Sequence, residues 1–208
     1  MAAKKQTIKT VDTQKNELVL DILQPSASVV QDAQTLYTKT WQELVFVKKI
    51  KTKKQVDEKL LEEGIWGQKE EDERIRLADK IVELGKKLVD KTKKVTKKQG
   101  KELAFEIFKT RTKLKDLLST RSSLDANSAE ALAENVRFDY LVSACTVYNK
   151  DGTSFYKDYD DYVNRREEKA SWDAASKLAA MVYGGVDFTE NFEDNLLEIQ
   201  FLKKFGYV

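Results

Sequence analysis

QKEEDERIRLADKIVELGKKLVDKTKKVTKKQGKELAFEIFKTRTKLKDLLSTR, residues 68–121, is the stretch on which the reading of this chain turns. In its first half Leu77, Ile81, Leu84, Leu88 and Val95 fall at four-, three- and seven-residue steps, and Leu103, Ile107, Thr110, Leu114 and Leu117 repeat the pattern in the second. Apolar residues at that period form one stripe along a helix, and two such stripes close on each other as a coiled coil. The segment predicts a long antiparallel coiled-coil hairpin. Between the stripes, Gly85 to Lys101 carries eight lysines, Lys86, Lys87, Lys91, Lys93, Lys94, Lys97, Lys98 and Lys101, against the single acid Asp90. Gly100 is the expected turn, because connections between helices favour glycine.

On the N-terminal side, Glu17–Leu23 (ELVLDIL) reads as one short strand ending before Pro25, whose missing donor stops it. Residues 1–16 are polar, mixed in sign and lack a secretory or transit pattern, so they are expected to be a flexible or partner-ordered arm. Ser26 and Ser28 suit the start of a helix whose stripe is Val29, Ala33, Leu36, Tyr37, Trp41, Leu44 and Val45. A second helix over 53–63 follows Thr52 and ends at Gly64, in a left-handed cap, with Trp66 as anchor for the hairpin root.

On the C-terminal side, Asn127 or Ser128 begins a helix carrying Leu132, Val136, Phe138, Leu141, Val142, Cys145 and Tyr148, closed by a turn at Asp151-Gly152. Helices over 156–166 and 167–183 should place Tyr159, Tyr162, Val163, Trp172, Ala175, Leu178, Ala179 and Val182 inward and end at Gly184-Gly185. A last helix would carry Phe192, Leu196, Ile199, Leu202 and Phe205. The expected architecture is mainly α: an arm with a short strand over 1–24, a helical body over 25–67 and 122–208, and the hairpin inserted at 68–121.

Composition narrows the chemistry. There is no histidine, which removes the Ser-His-Asp and Cys-His nucleophile systems, histidine general bases and nearly all zinc sites. Cys145, the one cysteine, sits on an apolar helix face and reads as packing. Lys and Arg number 37 against 35 acids, so a net charge of +2 gives no global field for nucleic acid or anionic lipid. No apolar run approaches the roughly 20 residues that span a bilayer. Asn149 to Asp161 is rich in aspartate but lacks the ligand alternation of an EF-hand loop, and reads as a turn followed by a helix start. These features point to a non-enzymatic chain without cofactor or metal, soluble and made in a reducing compartment.

Two groups remain as candidate contact residues. The eight lysines suit an acidic partner or phosphates, although neither arginine nor aromatics interleave with them as in nucleic-acid binders. Aromatics concentrate near the C-terminus, with Phe188, Phe192, Phe201, Phe205 and Tyr207 as candidate anchors for a protein interface. The lysines and the aromatics are expected to form separate surfaces.

The strings LQPSASVVQDAQTLYTKTWQEL at 23–44, EEGIWG at 62–67, SLDANSAEALAENVRFDYLVSACTVY at 123–148 and FLKKFGYV at 201–208 together resemble small virion-associated proteins of T4-like marine tailed bacteriophages. The resemblance covers most of the chain and carries over no catalytic residues. It implies a structural or tail-assembly protein acting through contacts with other phage structural proteins or with copies of itself, located in the virion and, during assembly, in the host cytoplasm. The alternative is a phage-encoded regulatory or nucleic-acid-binding protein using the lysine-rich segment.

Overall fold

The computed structural model describes residues 5–89, 96–184 and 196–207. It is mainly helical with a short antiparallel sheet, as expected, but two elements are new and the chain divides differently. The described residues form two compact units, one of residues 5–50 and 129–184 and one of residues 51–89, 96–128 and 196–207.

The first unit contains the sheet, in the order β1-β2-β3 with both pairings antiparallel. Strand β2 (Glu17–Leu23) falls where the sequence placed it. The expected arm is instead strand β1 (Lys5–Val11), paired with β2 from Lys5 opposite Leu23 to Val11 opposite Glu17. Only Ile8 and Val11 are apolar in β1, so its alternation was too weak to read as a strand. Polar contacts hold it instead. Asp12 Oδ1 accepts from the backbone N–H groups of Gln14 and Asn16, both at 2.8 Å, closing the hairpin turn. In the middle strand, Asp21 accepts from Lys5 Nζ at 2.6 Å, Thr7 Oγ1 at 2.5 Å and Asn149 Nδ2 at 3.0 Å. Burial alone would raise the Asp21 carboxyl; these hydrogen bonds outweigh it and hold the group below the usual carboxylate range.

Alternation along β2 turns Leu20 and Ile22, on either side of Asp21, into the core, where both are fully buried. They pack with Leu141, Val142, Cys145, Tyr156, Tyr162, Ala174 and Leu178. Helix α1 (Ala27–Gln42) starts at Ser26, whose hydroxyl accepts from Val29 N, and packs on α5 (Ala129–Cys145). A π-helical turn (Glu43–Val47) extends it and carries Leu44 into a second cluster with Ala129, Ala133, Tyr37 and Trp41. The last expected turn of α5 unwinds: Thr146–Tyr148 is strand β3, with Tyr148 opposite Leu20. Two β-branched residues in TVY favour the edge pairing over a further helical turn. At the following turn, Asp151 Oδ1 accepts from Thr153 N at 3.0 Å and Gly152 is left-handed at φ 72°.

Helix α6 (Tyr159–Arg165) is capped by Asp158, which accepts from Asp161 N at 2.8 Å, and α7 (Lys169–Tyr183) ends at Gly184 in the left-handed conformation. Trp172, expected inward, is 60% exposed. The small residues Ala170, Ser171 and Ala174 form the buried face of α7, and Ser171 Oγ, accepting from Tyr156 OH at 2.8 Å, fixes the rotation that leaves the indole outside. Burial pushes the Cys145 thiol up to about 11, in keeping with a packing role.

One half-buried acid, Asp139, opposes folding at neutral pH. Burial raises the Asp139 carboxyl, partly offset by the hydrogen bond from Tyr162 OH at 3.3 Å and by Arg166. A carboxyl raised in the folded state favours folding at low pH and loses that contribution as pH rises through its folded value. Asp139→Asn keeps the acceptor for Tyr162 and is expected to raise the midpoint of thermal unfolding at pH 7, with the gain disappearing toward pH 3. A gain equal at both pH values would mean that the charge is not the cause.

The second unit comprises α2 (Lys53–Glu62), α3 (Gln68–Val89), α4 (Lys97–Asp125) and α8 (Leu197–Lys204). Thr52 and Gln55 form a reciprocal capping box at α2, and Gly64 is left-handed at φ 65°. Helices α3 and α4 pack together: Arg121 lies over the Trp66 ring at 5.5 Å, and Lys80 pairs with Glu106 at 2.7 Å, so early positions of α3 lie beside late positions of α4. Leu77, Leu84, Ala104, Ile107 and Thr110 are buried there. Helix α8 packs on α4, which places the C-terminal segment in this unit and not with the helical body as expected.

Candidate binding surface

The start of α4 is built locally. Thr96 accepts from Gln99 N at 3.3 Å while Gln99 Oε1 accepts from Thr96 N at 3.1 Å, a second capping box that begins the helix at Lys97. Gly100, the expected turn, therefore lies inside the helix and is buried. Its hydrogen atom faces the ring of Phe201 from α8; a Cβ built there would stand 3.0 Å from both Cε1 and Cε2 of that ring and closer still to Cζ. Glycine serves here for the close approach of an aromatic ring.

Docking of α8 fixes the surface. Glu198 is fully buried and accepts from Arg111 Nε at 2.6 Å, while Leu202 packs beneath it. At the end of α8, Gly206 is left-handed at φ 70°, with Gly206 N donating to Lys203 O at 3.0 Å and Tyr207 N to Leu202 O at 2.9 Å. That pair of bonds is a Schellman closure, and it folds Tyr207 back over the start of α4.

Lysines and aromatics thus meet. Lys101 Nζ lies 4.2 Å from the Tyr207 ring centroid and 5.8 Å from that of Phe105, and Lys97 Nζ lies 5.2 Å from Phe205. Phe201 and Phe205 meet in a tilted contact with centroids 4.8 Å apart. Lys98, Lys203 and Lys204 add charge at the same end, Glu102 is the acid nearby in sequence, and Glu198 is neutralised by Arg111. Ammonium groups over ring faces gain from the ring quadrupole while remaining open to an anion. The surface suits a ligand that offers carboxylates or phosphates together with apolar or stacking groups.

The sequence had separated what the structure joins. Lys97, Lys101, Phe201, Phe205 and Tyr207 share one surface with Lys98; Lys86 and Lys87 stand exposed at the end of α3, where Lys87 pairs with Glu83 at 2.6 Å. Lys91, Lys93, Lys94, Phe188 and Phe192 lie outside the described residues. Phe105, Arg111, Glu198 and Gly206 were missed. The only legible signal among them was Gly206 after FLKKF, a C-terminal cap pattern.

At the other end of this unit an open cleft of about 690 Å³ is lined by Trp66, Leu61, Leu118 and charged side chains. Arg121 pairs with Asp57 and Asp125, Lys53 with Asp125, and Arg74 with Glu71, which also accepts from Trp66 Nε1 at 3.1 Å. The Arg74 and Trp66 hydrogen bonds hold the Glu71 carboxyl below its usual range. The charges satisfy one another, so the cleft is a braced helix root with Trp66 as anchor. Among the described residues no group of three or more cysteine, aspartate or glutamate side chains is placed to hold a metal ion, and no helix is long and apolar enough to cross a membrane.

The chain matches no family model, no curated protein and no solved structure.

Proposed function

We propose that this chain is a non-enzymatic assembly protein that works through protein–protein contacts, and that its setting is the particle or tail of a tailed bacteriophage, as the sequence resemblance implies. In this reading α3 and α4 form a long antiparallel coiled-coil hairpin, and the lysine–aromatic surface at its α8 end is the contact site. The observation that supports it is the meeting of Lys97, Lys101, Phe205 and Tyr207 on one surface. Aromatic anchors ringed by charge are what small protein interfaces rely on. The partner is expected to present carboxylates beside an apolar patch.

A second reading gains from the same observation. Aromatic rings beside lysines can stack bases while the ammonium groups neutralise phosphates, so the objection that no aromatics interleave with the lysines no longer holds. A zero-length carbodiimide cross-linker, which joins lysine to carboxylate, separates the two. In extracts of infected cells, Lys97, Lys98 or Lys101 should cross-link to acidic residues of other particle proteins, and Lys101→Glu with Tyr207→Ala should reduce the yield about tenfold or more. Salt-sensitive retention on single-stranded nucleic acid, lost in the same variant, with no protein cross-links, would establish the second reading instead.

A further inference from the structure

We infer that α3 is the self-association face of this protein, pairing antiparallel with α3 of a second copy about a two-fold axis near Val82. Ile75, Val82 and Val89 recur every seven residues and are 48%, 56% and 53% exposed. At 100° per residue they share one face of the helix, on the side away from the buried Leu77 and Leu84. Ala78, at an intervening position, is small enough for another helix to approach closely. Leu197 of α8, 39% exposed, reaches 3.9 Å from where a Gly85 Cβ would stand and extends the apolar strip. A seven-residue apolar strip on an otherwise charged helix is the pattern by which two helices pair.

Charge selects the occupant and its direction. Along α3 the other charges are largely paired: Glu71 with Arg74, Glu73 with Arg76, Lys80 with Glu106 and Glu83 with Lys87. Asp79 and Lys86, which flank the strip, make no ion pair among the described residues. A two-fold axis at Val82 sets Ile75 against Val89 of the second copy and Asp79 beside its Lys86, twice by symmetry. It also opposes the two helix dipoles. A parallel pair would set Asp79 on Asp79 and Lys86 on Lys86. The helix is complementary to its own reverse, so a second copy is the partner that this chain itself supplies.

Sedimentation equilibrium of the full chain over a concentration series tests this. A reversible dimer is expected, weakened as salt rises. Val82→Glu, at an exposed position where circular dichroism should be unchanged, is expected to raise the dimer dissociation constant at least about tenfold, and Asp79→Lys alone should weaken pairing as well. Asp79→Lys combined with Lys86→Asp should restore it, because the exchanged charges face each other again. Under mild oxidation Val82→Cys should give a disulfide-linked dimer with itself and Ile75→Cys should not, whereas a mixture of Ile75→Cys and Val89→Cys should cross-link; Cys145 is buried and stays silent. A chain monomeric to about 100 µM, a dimer unaffected by Val82→Glu, a charge exchange that fails to restore pairing, or self-cross-linking of Ile75→Cys would each overturn the proposal.

Discussion

Arg111→Met is expected to release α8 from α4. Glu198 is fully buried and its carboxylate is held by Arg111, whose own side chain is 38% exposed. Removing the guanidinium leaves a buried acid without its counter-charge. Breaking one partner of such a pair costs about 3 kcal/mol, the lower part of the usual range because Arg111 itself is partly solvated. The loss is local, since α8 is a short helix joined to α4 by this pair, Leu202 and the aromatic contacts. Amide exchange over residues 197–207 should accelerate about a hundredfold while β1 and β2 keep their protection. Adding Glu198→Leu to the variant should recover most of the protection, because an apolar pair needs no counter-charge. Unchanged exchange in Arg111→Met would show that apolar packing alone holds α8.

Gly100→Ala sets two effects of opposite sign against each other. In a helix interior alanine is favoured over glycine by about 1 kcal/mol, so by propensity alone the change should stabilise α4. Here the added methyl would overlap the Phe201 ring, which also packs at a tilt against Phe205, so that moving it aside disturbs that contact. Overpacking of this kind costs about 1–3 kcal/mol, and the expected balance is a loss of up to about 2 kcal/mol. The lysine–aromatic surface should come apart with it, since Tyr207 reaches Lys101 only when α8 is seated. A helix stabilised on its own but a chain destabilised overall is the expected signature, read as more helix in an α4 peptide and a lower unfolding midpoint in the protein. Phe201→Leu in the alanine background should return part of the loss by opening space. A higher midpoint in Gly100→Ala would mean that the ring moves aside freely.

These two sites also mark where sequence reading stopped. Strand β2, the starts of α1 and α2, and the buried stripe of Leu77, Leu84, Ile107 and Thr110 were legible because periodicity and caps are local signals. Gly100 was misread because a glycine required by a distant ring looks the same in sequence as a glycine required by a turn. Arg111 and Glu198 stand 87 positions apart, and nothing local marks them as partners. Strand β1 was missed because Asp21, Thr7 and Asn149 hold it through polar contacts in place of an alternating apolar face. Trp172 was placed inward by its helical spacing, while the small face of α7 decided the rotation. Lys97, Lys98, Lys101, Phe201, Phe205 and Tyr207 of the candidate surface were each found, but their meeting depends on the docking of α8, which is a tertiary fact.

On the proposed reading the source is a tailed phage, and quantitative mass spectrometry of its purified particles, beside lysate of the infected cells, tests that reading most directly. The chain should be present in many copies per particle, at a fixed ratio to the other structural proteins. Abundance in the lysate with none in particles or assembly intermediates would contradict it.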